Sequence, residues 1–202
     1  ALGYSTEEIL ALFFGNDMIY LGDQKCEMDL VPERLRGQQL HFDLLGARGK
    51  VLVESGKRVT AKHIRELQKA GITRVEIPLD FVAGRALAKD IIDSDTGEVL
   101  MEANDLLTEE SVEQLQKSGF DKIETIYTND IDRGPFISDT LRLDSTRSIL
   151  EAQVEIYRMM RPGEPPTKES AENLFQNLFF APERYDLSAV GRMTFNRRLG
   201  RE

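Results

Sequence analysis

The stretch TAKHIRELQKAGITRVE (60–76) recurs 48 residues later as TEESVEQLQKSGFDKIE (108–124), with six identical positions. Each copy starts with a Thr suited to cap a helix, continues with a one-sided apolar stripe, and reaches a Gly that can adopt the left-handed conformation. Apolar residues after that Gly predict entry into a strand. Chance recurrence of a common pattern is the alternative, and the shared LQK and Gly spacing disfavour it. The repeat, taken as 59–76 and 107–124, predicts two strand–helix–strand units that pack as one body.

Helical patterns flank this repeat. Ser5 and Glu8 have the spacing of a capping box, which predicts a helix near the amino end. A second helical pattern covers 147–160 and ends at the prolines of RPGEPP (161–166). A third helix is predicted to begin at Thr167. Its expected buried stripe consists of Ala171, Leu174, Phe175, Leu178 and Phe179.

Between the helical ends, short strand-like runs alternate with Gly, Pro and Asn/Asp turns. The predicted fold class is α+β, a helical domain interrupted by a β-rich insertion that contains the two repeats. We expect the helical domain to consist of residues 1–16 plus 134–202, and the inserted module of residues 17–133. Insertions of this kind enter loops whose ends lie close together.

The composition indicates a globular chain: of 202 residues, 41% are hydrophobic and 30% charged. Cys26 is the only cysteine, which rules out an internal disulfide framework and fits a reducing compartment such as the cytoplasm. No apolar run approaches the ~20 residues that span a bilayer, so no membrane association is expected. The chain begins with Ala1 rather than Met, and we expect it to be a fragment of a longer protein.

The net charge of −9 is unevenly distributed. Residues 17–135 carry 16 Lys and Arg against 23 Asp and Glu, whereas residues 138–202 carry ten of each. A chain this acidic is expected to bind free nucleic acid poorly, and only the arginines near the carboxyl end offer phosphate contacts. Solvated surface charge is the alternative interpretation of those arginines.

The sequence lacks HExxH, CxxC and GxSxG, and its two histidines, His41 and His63, lie in different segments. Metal or triad chemistry is therefore not expected. The motifs favour an interaction or binding module over a catalyst, with no catalytic residue and no metal site.

Several strings resemble the β subunit of bacterial RNA polymerase. The segments ALGYSTEEILALFF (1–14) and VEIYRMMRPGEPPTKESAENLFQNLFFAPERYDLSAVGRMTFNRRLG (154–200) are similar to its lobe domain. VPERLRG (31–37) and TNDIDRGPFISDTLR (128–142) resemble the β subunit of one bacterial lineage, whose lobe carries a large insertion. The resemblance extends over essentially the whole chain.

The resemblance implies a structural part of a nucleotidyltransferase. In that family the lobe forms one wall of the main cleft and helps to load DNA, open promoters and hold downstream duplex and the non-template strand. Magnesium and zinc are bound by the β′ subunit, so no cofactor is expected in this fragment. The implied partners are the β′, α, ω and σ subunits, together with promoter and downstream DNA.

Arginines of the two lobe motifs face nucleic acid in that family, and by motif they are Arg161 and Arg184. Arginine suits the role because its planar fork of donors grips phosphate and stacks on bases. An ordinary ion pair with a carboxylate such as Glu164 or Asp186 is the alternative for each. Weaker candidates for DNA contact are Arg192, Arg197 and Arg198.

The acidic insertion is expected to face protein or solvent. Two interpretations stay open: a mobile accessory that docks regulatory factors entering through the secondary channel, and lineage-specific bulk. A different class of function also stays open, a stand-alone acidic adaptor that binds a protein partner through its repeat module.

Overall fold

The computed structural model describes residues 1–22, 25–46, 49–184 and 186–201. The chain divides into a sheet unit, residues 5–144, and a helical unit made of residues 1–4 and 145–202. The sheet unit contains, in chain order, α1 (Thr6–Phe13), β1 (Asn16–Leu21), β2 (Cys26–Asp29), α2 (Pro32–Leu35), β3 (Leu44–Leu45), β4 (Val51–Val53), α3 (Ala61–Ala70), β5 (Arg74–Ile77), α4 (Leu79–Val82), β6 (Ile91–Ile92), β7 (Val99–Met101), α5 (Glu109–Lys117), β8 (Lys122–Ile126) and α6 (Phe136–Leu143). The helical unit contains α7 (Ile149–Met160), α8 (Lys168–Phe179) and α9 (Ala189–Arg198). The predicted α+β class is confirmed.

Both repeat helices form as the sequence indicates. The Thr60 hydroxyl accepts from the His63 N–H at the start of α3, and Thr108 does the same for Ser111 at the start of α5. Past each helix a Gly has positive φ, +64° at Gly71 and +82° at the equivalent Gly in the second repeat. The apolar stripes of both helices are buried in the core, with Ile64, Leu67, Val112 and Leu115.

The duplication is longer than the helix-to-strand motif. The order short helix, β-hairpin, helix, sheet strand occurs twice, first as α2, β3–β4, α3 and β5, then as α4, β6–β7, α5 and β8. We call residues 31–77 the first copy and residues 78–126 the second copy. Backbone hydrogen bonds recur between them with offsets of 47 and 48 residues, as in Val59 N–H to Gln38 O and Leu107 N–H to Arg85 O, both 2.8 Å.

The four-stranded sheet has the order β5–β2–β1–β8, with every neighbouring pair antiparallel. Asp17 of β1 lies opposite Thr125 of β8, and Cys26 of β2 lies opposite Ile77 of β5. Moving nine residues from β1 to β2 and 48 from β8 to β5 converts one pairing into the other. The sheet therefore has a pseudo-twofold axis between β1 and β2 that exchanges the two copies.

The Asp17 carboxylate lies between the two copies and is 6% exposed. It pairs with Arg34 of the first copy and with Arg85 of the second copy, the latter with Nη1 at 2.9 Å. Each guanidinium also lies over an aromatic ring, Arg34 at 4.6 Å from the centroid of Tyr127 and Arg85 at 4.5 Å from that of Phe81. Asp17 thus joins both halves of the duplication through one buried charge.

Helices α1 and α6 pack on the second copy. Leu10 of α1 is 1% exposed. It lies in a cluster of small and apolar side chains with Ala86, Ala88, Ala103 and Ile126, flanked by Phe14 and Leu141. Burying a leucine side chain contributes about 2 kcal/mol. This packing holds α1 against the sheet unit.

A buried polar pair fixes α6 to the same copy. Asn104 has φ +77° where the first copy has Gly56 at +76°. Its side-chain amide donates to the Ser138 carbonyl at 2.9 Å, and the Ser138 hydroxyl donates to Asn104 Oδ1 at 2.6 Å. Asn tolerates this backbone region because its short polar side chain bonds locally. The second copy therefore uses the left-handed position to bind α6.

The bounds of the two units differ from those of the predicted domains. The predicted helical domain, 1–16 plus 134–202, includes α1 and α6, which instead pack with the sheet unit through Leu10 and Asn104. The predicted module at 17–133 is an inference about an insertion within a family, and it stays a prediction.

We expect Asp17→Asn to lower the free energy of unfolding by about 3 kcal/mol, because two guanidinium groups lose their buried counter-charge. Urea unfolding of the full chain measures this. The control is Glu54→Gln, which removes an exposed pair with Lys57 and should change stability by less than about 0.5 kcal/mol. A loss below about 1 kcal/mol for Asp17→Asn would contradict the central role of this carboxylate.

Glu124 gives the sheet unit an acid-sensitive contact. A hydrogen bond from Lys89 Nζ at 2.8 Å, aided by Asn16, holds the pKa of Glu124 below its usual value. The stabilisation is therefore present above about pH 4.5, the unfolded value, and is lost as the pH falls through the lower folded pKa. We expect Glu124→Gln to cost up to about 1 kcal/mol at pH 7 and to flatten the loss of stability below pH 4.5.

Urea midpoints measured from pH 7 to pH 3 check this expectation. An unchanged slope in Glu124→Gln would show that other carboxylates cause the acid sensitivity.

Candidate nucleic-acid interface

The helical unit is built around the α7–α8 hairpin. Ser148 and Thr167 cap the two helices with their hydroxyls, as the sequence pattern predicts for Thr167. Tyr157 of α7 and Ala171 and Phe175 of α8 are buried. The predicted stripe of α8 is buried only in part: Leu174 and Leu178 are half-buried, and Phe179 is 60% exposed.

Arg161 ends α7 and opens the connection to α8. Its N–H donates to the Tyr157 carbonyl at 2.8 Å. Its Nη1 lies 3.5 Å from a Glu164 oxygen, and both side chains are more than half exposed. Exposed pairs of this kind contribute about 0–1 kcal/mol. The alternative interpretation of Arg161 as an ion-pair partner is therefore met only by a weak contact, which a phosphate can replace.

The loop that carries Arg161 is braced from below. The hydroxyl of the buried Tyr157 donates to Glu164 Oε2 at 2.9 Å. The Glu164 N–H also donates to the Arg161 carbonyl at 3.3 Å. Sequence reasoning missed Tyr157, although its position one helical turn before Arg161 was available as a signal. The brace reduces the conformational entropy that Arg161 would lose on contact with a ligand.

Arg184 lies in the turn that follows α8. Its N–H donates to the Ala181 carbonyl at 2.9 Å, and its side chain is exposed. No carboxylate of the described residues forms an ion pair with it. Asp186, the expected alternative partner, instead lies 3.9 Å from Arg192. Arg184 thus presents an unneutralised guanidinium.

The three weaker candidates all lie on α9, a helix in which no described residue is buried. Arg192 is turned about 140° around the helix from Arg197 and about 120° from Arg198, at 3.6 residues per turn. Arg197 and Arg198 occupy the last turn, where positive charge also complements the helix dipole. The structure therefore does not gather the three arginines of α9 on one face.

Arg161 and Arg184 lie at opposite ends of α8. Its 12 residues extend over about 18 Å. That length matches about five nucleotides of a strand at 3.4 Å per nucleotide. The two motif arginines are therefore placed as separate contacts along a backbone, and Arg192 lies with Arg184 through the shared neighbour Asp186.

Charge is divided between the two units. The helical unit carries nine Lys and Arg against eight Asp and Glu, whereas the sheet unit carries 17 against 27, a net of −10. A polyanion is repelled by the sheet unit and tolerated by the helical unit. The expected DNA contacts and the expected protein-facing surface thus fall in different units.

The described part of the chain contains no group of three or more His, Cys, Asp or Glu side chains placed to hold a metal ion. None of the helices formed by described residues is long and apolar enough to cross a membrane. A search against models of known protein families finds no match for this chain.

We expect Tyr157→Phe to lower the free energy of unfolding by about 1 kcal/mol, because the change removes the hydrogen bond to Glu164 and preserves the buried ring. Hydrogen exchange should also quicken at the Glu164 amide, which depends on the same loop. Tyr4→Phe is the control, since Tyr4 is 56% exposed. Unchanged exchange at Glu164 in Tyr157→Phe would show that the proline-rich loop holds its shape alone.

Proposed function

We propose that this chain is part of the β subunit of a bacterial DNA-dependent RNA polymerase, a cytoplasmic enzyme, and corresponds to its lobe with a lineage-specific insertion. The helical lobe interrupted by a β-rich module is the architecture that this proposal assigns to the chain. The observation that carries it is the pair of exposed motif arginines, Arg161 on a braced loop and Arg184 without a carboxylate partner among the described residues.

In this proposal the lobe acts by binding and positioning DNA, and the chemistry belongs to the other subunits. Arg161 and Arg184 contact phosphates or unstacked bases of the downstream and non-template strands. Arg192, Arg197 and Arg198 add charge near the carboxyl end. The β′, α, ω and σ subunits complete the cleft, and β′ binds the magnesium and zinc.

The acidic sheet unit has a separate task in the proposal. Its net charge of −10 keeps it away from the DNA path and suits contact with protein. We assign it the role of an accessory that docks regulatory factors. The competing function, a stand-alone acidic adaptor, shares this docking role but assigns no DNA contact to the helical unit.

The test is the lifetime of promoter open complexes formed by reconstituted polymerase in which Arg161 and Arg184 are both changed to Ala. Removing two charge-assisted hydrogen bonds to DNA should shorten the lifetime about tenfold at moderate salt. The slope of log lifetime against log salt should fall by about two, one for each phosphate that the variant no longer neutralises.

Arg158→Ala is the matched control, because Arg158 lies on α7, is exposed and is already paired with Glu155. Its open complexes should have unchanged lifetimes and an unchanged salt slope. Equal lifetimes for the double variant and the control would remove the DNA contact from the proposal and leave the adaptor as the better assignment.

A further inference from the structure

The largest groove of the sheet unit lies on the first copy and has a volume of about 680 Å³. We call it the first-copy groove. Its apolar lining comes from Phe42, Leu45 and residues 77–79, and its polar rim includes Lys25 and Asp43. It is open to solvent and uses residues from β2, β3, β5 and the start of α4.

The pseudo-twofold axis relates this groove to the site of α1 on the second copy. The equivalent of Asp43 is Asp90, and the two carboxylates make the same hydrogen bond. Asp43 Oδ1 accepts from the Ser55 N–H at 2.7 Å, and Asp90 Oδ1 accepts from the Ala103 N–H at 2.6 Å.

The rim of the groove is also duplicated. Lys25 Nζ bonds Glu76 at 2.6 Å in the first copy, and Asn16 Nδ2 bonds Glu124 at 2.9 Å in the second. The groove and the α1 site are therefore two versions of one surface.

On the second copy this surface holds a helix. Glu7 of α1 accepts a hydrogen bond from the Asp90 N–H at 2.7 Å. Three residues later, Leu10 is buried against Ala88 and Ile126. A carboxylate followed at i+3 by an apolar side chain is the pattern that the surface recognises.

The first copy cannot supply a helix of its own. On the second copy, α1 is continuous with β1, which begins three residues after α1 ends. The equivalent strand of the first copy is β2, and the segment before β2 is the end of β1 itself, already used in the sheet. No described group accepts a hydrogen bond from the Asp43 N–H.

We propose that the first-copy groove binds an amphipathic helix of a partner protein. The helix carries an acidic side chain in its first turn, which accepts from the Asp43 N–H, and an apolar side chain at i+3, which packs on Phe42, Leu45 and Leu79. Lys25 and Lys117 at the rim favour the same acidic end. This is the helix-in-groove mode of recognition.

The inference gives a site and a ligand class to the docking role in the proposed function, and its biological setting rests on that proposal. Binding of a helix by the sheet unit is measured without DNA or other subunits. A failure here therefore leaves the lifetimes of open complexes unaffected, and a failure there leaves this groove unaffected.

The probe is a synthetic peptide of residues 4–14 of this chain, YSTEEILALFF, which has the recognised pattern. It is titrated into the isotopically labelled 202-residue chain and followed by amide resonances. We expect the Asp43 amide to shift most, since it gains an acceptor, together with those of Leu45 and Ile77. A peptide with Glu7→Gln should bind about tenfold more weakly and lose the Asp43 shift.

The matched pair of chain variants is Leu45→Glu and Ile92→Glu. The two residues are pseudo-equivalent and both are partly exposed, at 37% and 51%, so neither change disturbs the core. Leu45→Glu should weaken peptide binding at least about tenfold. Ile92→Glu should leave it within about twofold.

Three results would overturn the proposal. One is the absence of shifts at about 1 mM peptide. Another is equal weakening by Leu45→Glu and Ile92→Glu. The third is a shift of the Asp43 amide that depends on the concentration of the chain alone, which would make a second copy of this chain the occupant.

Discussion

The buried carboxylate of Asp17 determines how the duplicated unit is assembled. A carboxylate that is 6% exposed needs compensating charge, and the chain provides it from both copies, as Arg34 and Arg85. Both guanidiniums can reach it only when β1 and β2 pair in the observed register, which places the pseudo-twofold axis between these strands. A shift of one residue would turn Asp17 to the opposite face of the sheet and leave two arginines without an acceptor.

The two copies share a backbone and differ in what they bind. At the equivalent left-handed position, Gly56 has no side chain, whereas Asn104 forms two hydrogen bonds with Ser138 of α6. Small residues at 86, 88 and 103 give the second copy a socket for Leu10, whereas the first copy has Gln39, His41 and Ser55 at these places. These substitutions explain why α1 and α6 pack on one copy and the other stays open.

Local elements could be predicted from the sequence because their signals are local. The Thr caps, the one-sided stripes and the Gly residues predicted α3 and α5, and the prolines of 161–166 predicted the end of α7. The sequence pattern did not predict the partners of α1, since a capping box says nothing about where Leu10 packs. It also did not predict the Asp17 pairs or the brace from Tyr157, because each depends on residues brought together by tertiary structure. The likeness of 60–76 and 108–124 was visible, and extending the comparison to 31–59 would have predicted both hairpins.

The contrast between the two units follows from how their residues are used. In the sheet unit, charges near the core are consumed by pairing: Asp17 holds two arginines, and Glu124 holds Lys89. In the helical unit, the candidate arginines lie at helix ends and turns, where neighbouring carboxylates are distant or already shared. Charge neutralised inside a fold stabilises that fold, whereas charge left at a turn remains available to a ligand. The acidic unit therefore offers a shaped groove as its means of recognition, and the helical unit offers unneutralised guanidinium groups.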